Sequence, residues 1–185
     1  MKILNAKTSS LLIIDPQEKL MKAVEKPEKV ASSISLLIRC ANLLNIPIIA
    51  TTQYKKGLGP IVQELEELLK GTPYKTIDKW EFNCFYNRDF KDVINELPAC
   101  VDSLVITGVE AHICVFQTAV AAKENRFDTW VVTDAVSSRA KKNKKVAIKL
   151  MNANGIYCAT TEMIIYQWLK QANTNQFKSM LEYLK

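Results

Sequence analysis

Short apolar runs rich in β-formers alternate with amphipathic stretches along almost the whole chain. Continuous apolar runs of this length are typical of strands in a parallel sheet whose two faces are covered by crossover helices. The alternation therefore predicts an α/β protein with helices on both sides of one sheet. The predicted strands cover residues 11–15, 47–52, 75–77, 103–107, 129–133 and 157–159.

The first helix is predicted over residues 28–44, because Val30, Ile34, Leu37 and Ala41 recur at helical spacing. Pro60 suits the first position of a second helix, over residues 61–69. Further helices are predicted at 89–96, 113–125, 144–154, 162–172 and 175–184. We expect one domain over residues 1–185: a three-layer α/β/α sandwich on a Rossmann-like sheet of six parallel strands, in the order 3-2-1-4-5-6. A chain of this size buries about 70% of its unfolded surface.

Several classes of protein do not fit the sequence. The first ten residues lack the apolar core of a signal peptide, and no run reaches the roughly 18 apolar residues of a membrane span, so we expect a cytoplasmic protein with no membrane partner. The five cysteines are odd in number, widely spaced and without a CxxC pair, which predicts free thiols. His112 is the only histidine, so a histidine-rich metal site is excluded, and we expect neither metal nor cofactor.

The formal net charge of +6 could weakly attract anions or nucleic acid, and the sequence has one clear basic stretch. No aromatic residue interleaves this stretch, as a surface for single-stranded nucleic acid requires. We therefore interpret it as the solvated start of a helix and do not expect a nucleic-acid partner. Its basic residues are Arg139, Lys141, Lys142, Lys144 and Lys145.

Polar or reactive residues follow four of the predicted strands. Asp15 ends the first, Gln53 follows the second and Lys79 follows the third, while the segment from Gly108 to Cys114 follows the fourth. Open parallel sheets bind ligands beyond the carboxyl ends of their strands. We therefore expect these four positions to converge at one edge of the sheet.

Cys114 falls in the first turn of a predicted helix. The partial positive charge and unpaired N–H groups there can stabilise a thiolate and later an oxyanion. Asp15 is the natural acceptor for the thiol proton, and Lys79 would favour the thiolate and stabilise negative charge on a substrate. Taken singly, Asp15 could instead cap the turn at Pro16, and Lys79 could be a surface cation.

Three segments, in this order, resemble the signature blocks of the isochorismatase-like hydrolases: residues 11–17 (LLIIDPQ), 79–85 (KWEFNCF) and 105–115 (VITGVEAHICV). The resemblance covers about residues 11–161. It implies that Cys114 is the nucleophile, Asp15 the general base and Lys79 the supporting cation. It also implies a cis peptide bond between Val109 and Glu110, with the amides of Glu110 and Cys114 forming an oxyanion hole.

Departures from relatives narrow the expected chemistry. Isochorismatases proper lack a cysteine at the position of Cys114. Nicotinamidases carry metal-binding histidines in the loop after the second strand, whereas the same loop in this chain, residues 52–60, contains no histidine. That loop resembles the isochorismatase domain-containing proteins. The roles of Cys84, where relatives often carry Ala, and of His112 stay open, with local orientation favoured for His112. Our candidates for lining the substrate pocket are Gln17, Gln53, Tyr54, Trp80, Phe82, Phe85 and Val109.

Three functions compete. The first is a metal-independent amidase-type hydrolase that cleaves a small amide or related C–N bond through a covalent thioester. The second is an oligomeric scaffold with a vestigial triad, since the family commonly forms dimers or larger assemblies. The third, RNA binding or cleavage, rests on the basic charge alone. Apolar carboxyl-terminal residues could pack on a partner subunit or on their own sheet: Ile164, Ile165, Trp168, Met180, Leu181 and Leu184.

Overall fold

Six parallel strands form one sheet in the order β3-β2-β1-β4-β5-β6, which confirms the predicted class and strand order. This computed structural model describes residues 3–184. Three residues lie outside the described residues: Met1, Lys2 and Lys185. The first two begin the segment that was tested for a signal peptide, and the third ends the predicted domain. The strands are β1 (Ser9–Ile14), β2 (Ile48–Gln53), β3 (Tyr74–Lys79), β4 (Ser103–Val109), β5 (Asp128–Ser137) and β6 (Tyr157–Ala159).

Nine α-helices connect or flank these strands in the described part of the chain. They are α1 (Glu18–Ala23), α2 (Pro27–Leu43), α3 (Lys55–Leu58), α4 (Gln63–Lys70), α5 (Arg88–Asn95), α6 (Phe116–Glu124), α7 (Lys141–Ala153), α8 (Thr161–Leu169) and α9 (Asn175–Leu181). The sequence prediction contained neither α1 nor α3, because helices of six and four residues are too short to show a helical period. The predicted helix at 113–125 is divided into a π-helical turn, Ala111–Val115, and α6.

The predicted place of Pro60 at the start of a helix is wrong. The Glu18 N–H donates to the Pro60 carbonyl, and the Val62 N–H donates to the Pro16 carbonyl. Ile61 forms an isolated antiparallel bridge with Gln17. These bonds hold the segment extended, so α4 begins only at Gln63.

β1 lies at the centre of the molecule, and all six of its residues are buried. Leu11 and Ile13 face one apolar cluster, which α2, α4, α8 and α9 cover. Leu12 and Ile14 face a second cluster, covered by α5, α6 and α7. Alternate side chains of a strand point to opposite faces, so β1 is buried by both helical layers and its carboxyl end opens between them.

Most of the apolar carboxyl-terminal residues pack on their own sheet. Ile164, Ile165, Trp168 and Met180 are buried in the first cluster, and the Trp168 indole donates a hydrogen bond of 3.1 Å to Ser9 Oγ. Their burial within the subunit leaves these four side chains no free surface for a partner. Among the described residues, no helix has the length and apolar character needed to cross a bilayer.

Candidate active site

Asp15 is the first residue after β1 and is fully buried. Its φ of 49° lies in the left-handed region, which aspartate tolerates better than most residues. Its N–H donates to the Thr51 carbonyl at 3.1 Å, and Thr51 Oγ1 donates to Asp15 Oδ1 at 2.7 Å. The carboxylate is therefore fixed against the neighbouring strand β2.

Lys79, at the end of β3, reaches across β2 to Asp15. Its Nζ donates to Asp15 Oδ2 at 2.7 Å and to Gln53 Oε1 at 2.8 Å, and both charged side chains are 0% exposed. Burial by itself lowers the pKa of Lys79, but the charge of Asp15, with smaller effects from Cys84 and Cys114, raises it overall. The ammonium therefore stays protonated inside the protein.

Cys114 lies in the π-helical turn that follows β4 and is 5% exposed. Its thiol is near both members of the ion pair. Burial raises the pKa of this thiol most strongly, the charge and a hydrogen bond of Asp15 raise it further, and Lys79 opposes them. The resting sulfur is therefore a neutral thiol. Lys79 favours the thiolate, but the desolvation of the sulfur, which the sequence does not show, outweighs this effect.

The end of β4 and the turn that leads to Cys114 have an unusual backbone. Gly108 has a φ of 108°, and a Cβ there would overlap the backbone carbonyl of Ile14, so only glycine lets β4 approach β1 this closely. The peptide bond between Val109 and Glu110 is cis. The Glu110 carbonyl accepts from the N–H groups of Ile113 and Val115, while its own N–H has no hydrogen-bond acceptor among residues 3–184.

The Glu110 side chain forms an ion pair that the sequence analysis missed. Its carboxylate, 4% exposed, is held by Arg139, which follows β5. Burial raises the pKa of Glu110, but the hydrogen bonds and charge of Arg139 outweigh it and lower the pKa overall. The register that pairs Val109 with Ser137 brings the two residues together. To predict this ion pair from the sequence, one would need to know which residue of β4 lies opposite which residue of β5.

His112 is oriented by Ser138, which directly follows β5, and by Asn143 on α7. Its Nδ1 lies 2.9 Å from Ser138 Oγ, and its Nε2 lies 3.3 Å from the Asn143 amide nitrogen. With the amide nitrogen as donor, Nε2 accepts and Nδ1 carries the proton toward Ser138. Both ring nitrogens thus have partners away from the ion pair, in agreement with the favoured local role.

Cys84 is a second thiol near the buried charges. It is fully buried, and its N–H donates to Thr118 Oγ1 at 3.1 Å. Thr118 lies one helical turn after Cys114 in the chain. Burial is the main cause that raises the pKa of Cys84 to about 12. This thiol is therefore neutral and closed to solvent.

Three of the residues predicted to line the pocket are held by contacts within the protein. The Gln17 amide donates to the carbonyls of Gln53 and Gly59 and accepts from the Gln53 N–H at 2.7 Å. Gln53 holds Lys79 and also donates to the Trp80 carbonyl at 2.6 Å. Phe85 is buried against Phe90, with ring centroids 5.2 Å apart. These side chains are engaged within the protein.

The other candidates include an exposed aromatic group. Trp80 is 71% exposed and stacks on Tyr54, with ring centroids 4.5 Å apart, and Phe82 is also exposed. Tyr54 and Trp80 directly follow Gln53 and Lys79 in the chain. Val109 is fully buried. In residues 3–184, no group of three or more His, Cys, Asp or Glu side chains is placed to hold a metal ion.

Comparison with known proteins adds four findings. Residues 9–163 match the isochorismatase domain. The isochorismatase family protein 1B of Dictyostelium discoideum is 34% identical, with 96% of this chain and 86% of that protein covered. A solved structure named MAR1 ribonuclease, from Caenorhabditis elegans, has a TM-score of 0.91 at 31% identity and covers 99% of this chain and 92% of that one. The Escherichia coli YcaC gene product, described as an octameric hydrolase of unknown specificity, has a TM-score of 0.88 at 25% identity, covering 99% and 91%.

Proposed function

The chain belongs to the isochorismatase family, and on this premise we propose that it is a cysteine-dependent hydrolase of a small amide or related C–N bond. The observation that carries the proposal is the buried Lys79–Asp15 ion pair beside the Cys114 thiol. A buried charge pair is costly to desolvate, and its position at the carboxyl edge of the sheet favours a role in chemistry.

In the proposed first half-reaction, the Cys114 thiol passes its proton to Asp15 as the sulfur attacks the substrate carbonyl carbon. The raised pKa of the thiol makes this coupling necessary, because little free thiolate exists beforehand. Lys79 stays charged and, by donating a hydrogen bond to Asp15 Oδ2, holds this side chain in place to accept the proton.

The proposed oxyanion hole consists of the N–H groups of Glu110 and Cys114. The Glu110 N–H, without an acceptor among the described residues, is available for the oxygen that gains negative charge. Collapse of the intermediate breaks the C–N bond, and Asp15 returns its proton to the leaving amine. Water, activated by Asp15, then cleaves the thioester, which releases the acid and restores the thiol.

A panel of small amides and esters, run on the wild type beside Cys114→Ala, tests this function. We expect the wild type to hydrolyse at least one member of the panel, and the rate in Cys114→Ala to be lower by a factor of about 10³ or more. Cys100→Ala is the matched control, because Cys100 is an exposed free cysteine whose loss should leave the rate unchanged. Equal rates in wild type and Cys114→Ala would overturn the proposal.

RNA binding or cleavage is a second candidate, favoured by the structural neighbour named as a ribonuclease. A cavity of about 790 Å³ at the starts of α2 and α7 adds support, although Glu25, Glu28 and Asp134 also line it. The lysines of this cavity are Lys26, Lys29, Lys141, Lys144 and Lys145.

The RNA candidate predicts binding that weakens steeply as salt rises. Neutralising Lys141 and Lys145 to Gln should reduce the salt dependence, whereas the same change at Lys70 and Lys75, which form exposed ion pairs elsewhere, should affect it less. Absence of binding at low salt would remove this candidate.

We also propose that the protein self-associates and resides in the cytoplasm. Trp80, Phe82 and Tyr86 are large apolar side chains that are exposed in one short segment, and the structural neighbour from Escherichia coli is described as an octamer. The five free cysteines suit a reducing compartment. A monomer mass by light scattering would overturn the first statement, and recovery from a secreted or organelle fraction would overturn the second.

A further inference from the structure

The Glu110 carboxylate is held by one arginine through several hydrogen bonds. Arg139 Nε donates to both carboxylate oxygens, at 3.0 and 3.1 Å, and Nη2 donates to Oε1 at 2.5 Å. The Arg139 backbone N–H donates to Oε2 at 2.8 Å. The planar guanidinium fork and the backbone donor together fix the carboxylate in one orientation.

This ion pair is asymmetric in its exposure. The Glu110 side chain is 4% exposed, whereas the Arg139 side chain is 62% exposed. Removing the arginine side chain would leave a buried carboxylate with a single backbone donor, and such a group moves toward water when it can. Because side chain and N–H belong to the same residue, that movement would also turn the Glu110 N–H.

We propose that Arg139 is a positioning residue that, through Glu110, aims the Glu110 N–H at the oxygen that becomes negative during catalysis. This inference rests on the proposed function, because it concerns the oxyanion hole of that site. Arg139 touches neither Cys114 nor Asp15 through any hydrogen bond in residues 3–184, so its effect passes through Glu110.

Two reagents separate an effect on the oxyanion hole from an effect on the thiol. Propanal adds to Cys114 to form a thiohemiacetal: the S–C bond forms, and the thiol proton passes to the former carbonyl oxygen, which occupies the oxyanion hole. Iodoacetamide alkylates the same sulfur: the S–C bond forms, iodide leaves and the thiol proton goes to base. Only the first reaction places an oxygen against the Glu110 N–H.

In Arg139→Gln we expect propanal to bind at least tenfold more weakly, measured as protection of Cys114 from alkylation and read by peptide mass spectrometry. The alkylation rate itself should stay within about twofold of wild type. Arg139→Lys, which keeps the charge but loses the fork, should be intermediate. The exposed Arg88 is the matched control, and Arg88→Gln should behave as wild type. An equal loss in both reactions, or a loss in neither, would overturn the inference.

The backbone itself supplies a readout that needs no reactive thiol. The ¹H–¹⁵N resonance of Glu110 should shift in Arg139→Gln and return toward its wild-type position on addition of guanidinium, since the site of Arg139 is open to solvent. An unshifted resonance would contradict the positioning role whatever Cys114 does. A wild-type Cys114 that reacts with neither reagent would instead contradict the proposed hydrolase, and the resonance would still decide the role of Arg139.

Discussion

At the scale of single residues, Lys79 and Asp15 show what burying a charge requires. Each is 0% exposed, and every charged atom near the contact has a hydrogen-bond partner, from Thr51 on one side and Gln53 on the other. The pair exists because either charge alone would be strongly unfavourable in this environment. The two residues therefore depend on each other for stability as well as for chemistry.

Lys79→Met should lower the free energy of unfolding by about 3–5 kcal/mol, because it leaves the Asp15 carboxylate buried without a counter-charge. The double variant with Asp15→Asn should lose less than the sum of the single losses. Urea denaturation measures both. Lys70→Met is the control, because the Lys70–Glu66 pair is exposed and its loss should change the free energy by under about 1 kcal/mol. Strictly additive losses would contradict the coupling.

Asp15→Asn should change alkylation and hydrolysis in opposite directions. The Asp15 charge contributes to raising the Cys114 pKa, so its removal lowers that pKa and increases the thiolate fraction at pH 7 to 8. Iodoacetamide should therefore label Cys114 faster in the variant. The rate of hydrolysis should fall by a factor of about 10²–10⁴, because the general base is missing. In the wild type the labelling rate should keep rising with pH, without a plateau near neutrality. A plateau below pH 7 would contradict the neutral resting thiol.

At the scale of elements, the carboxyl ends of four strands build the site. Gln53 and Lys79 end β2 and β3, while Asp15 and the turn to Cys114 follow β1 and β4, and these four strands are neighbours in the sheet. This convergence could be predicted, because strand ends can be read from apolar runs and parallel strands end at one edge. Thr51 and Arg139 could not, since their partners depend on register and on loop conformation.

Gly108→Ala tests how closely β4 must approach β1. The positive φ alone costs roughly 1–3 kcal/mol for a non-glycine residue, and overlap of the new methyl with the Ile14 carbonyl adds to it. We expect a lower melting temperature and a large loss of Cys114 reactivity, because β1 and β4, which Asp15 and Cys114 follow, would separate. Gly71→Ala is the control, since its Cβ would meet the Leu68 carbonyl at an ordinary 3.6 Å. Wild-type stability in Gly108→Ala would contradict the packing described.

At the scale of the whole molecule, the two apolar clusters explain which features the sequence could predict. Long amphipathic helices such as α2 and fully buried strands such as β1 carry clear periodic signals, so the sheet order and layers were predicted correctly. The carboxyl-terminal residues gave no such signal, because an apolar face looks the same in a sequence whether it packs within a subunit or between subunits. Only the structure places Trp168 and Met180 in the subunit's own core.

Met180→Ala should therefore destabilise the subunit and leave its assembly unchanged. Met180 is 1% exposed on α9, and such a truncation costs about 2–5 kcal/mol. Lys178→Ala, on the exposed side of the same helix, should stay within about 0.5 kcal/mol. Light scattering on both variants should give the wild-type mass. A smaller assembly for Met180→Ala at full folding would place this residue in an interface.

The central claim is that Cys114, supported by Asp15 and Lys79, forms a covalent bond to the substrate. Its most direct test is acid quenching of the wild type during turnover of its best amide or ester substrate, followed by peptide mass spectrometry. We expect the acyl group on the peptide that contains Cys114, in a bond that hydroxylamine cleaves as it cleaves thioesters. Rapid turnover with Cys114 unmodified and the acyl group on another side chain would contradict the account.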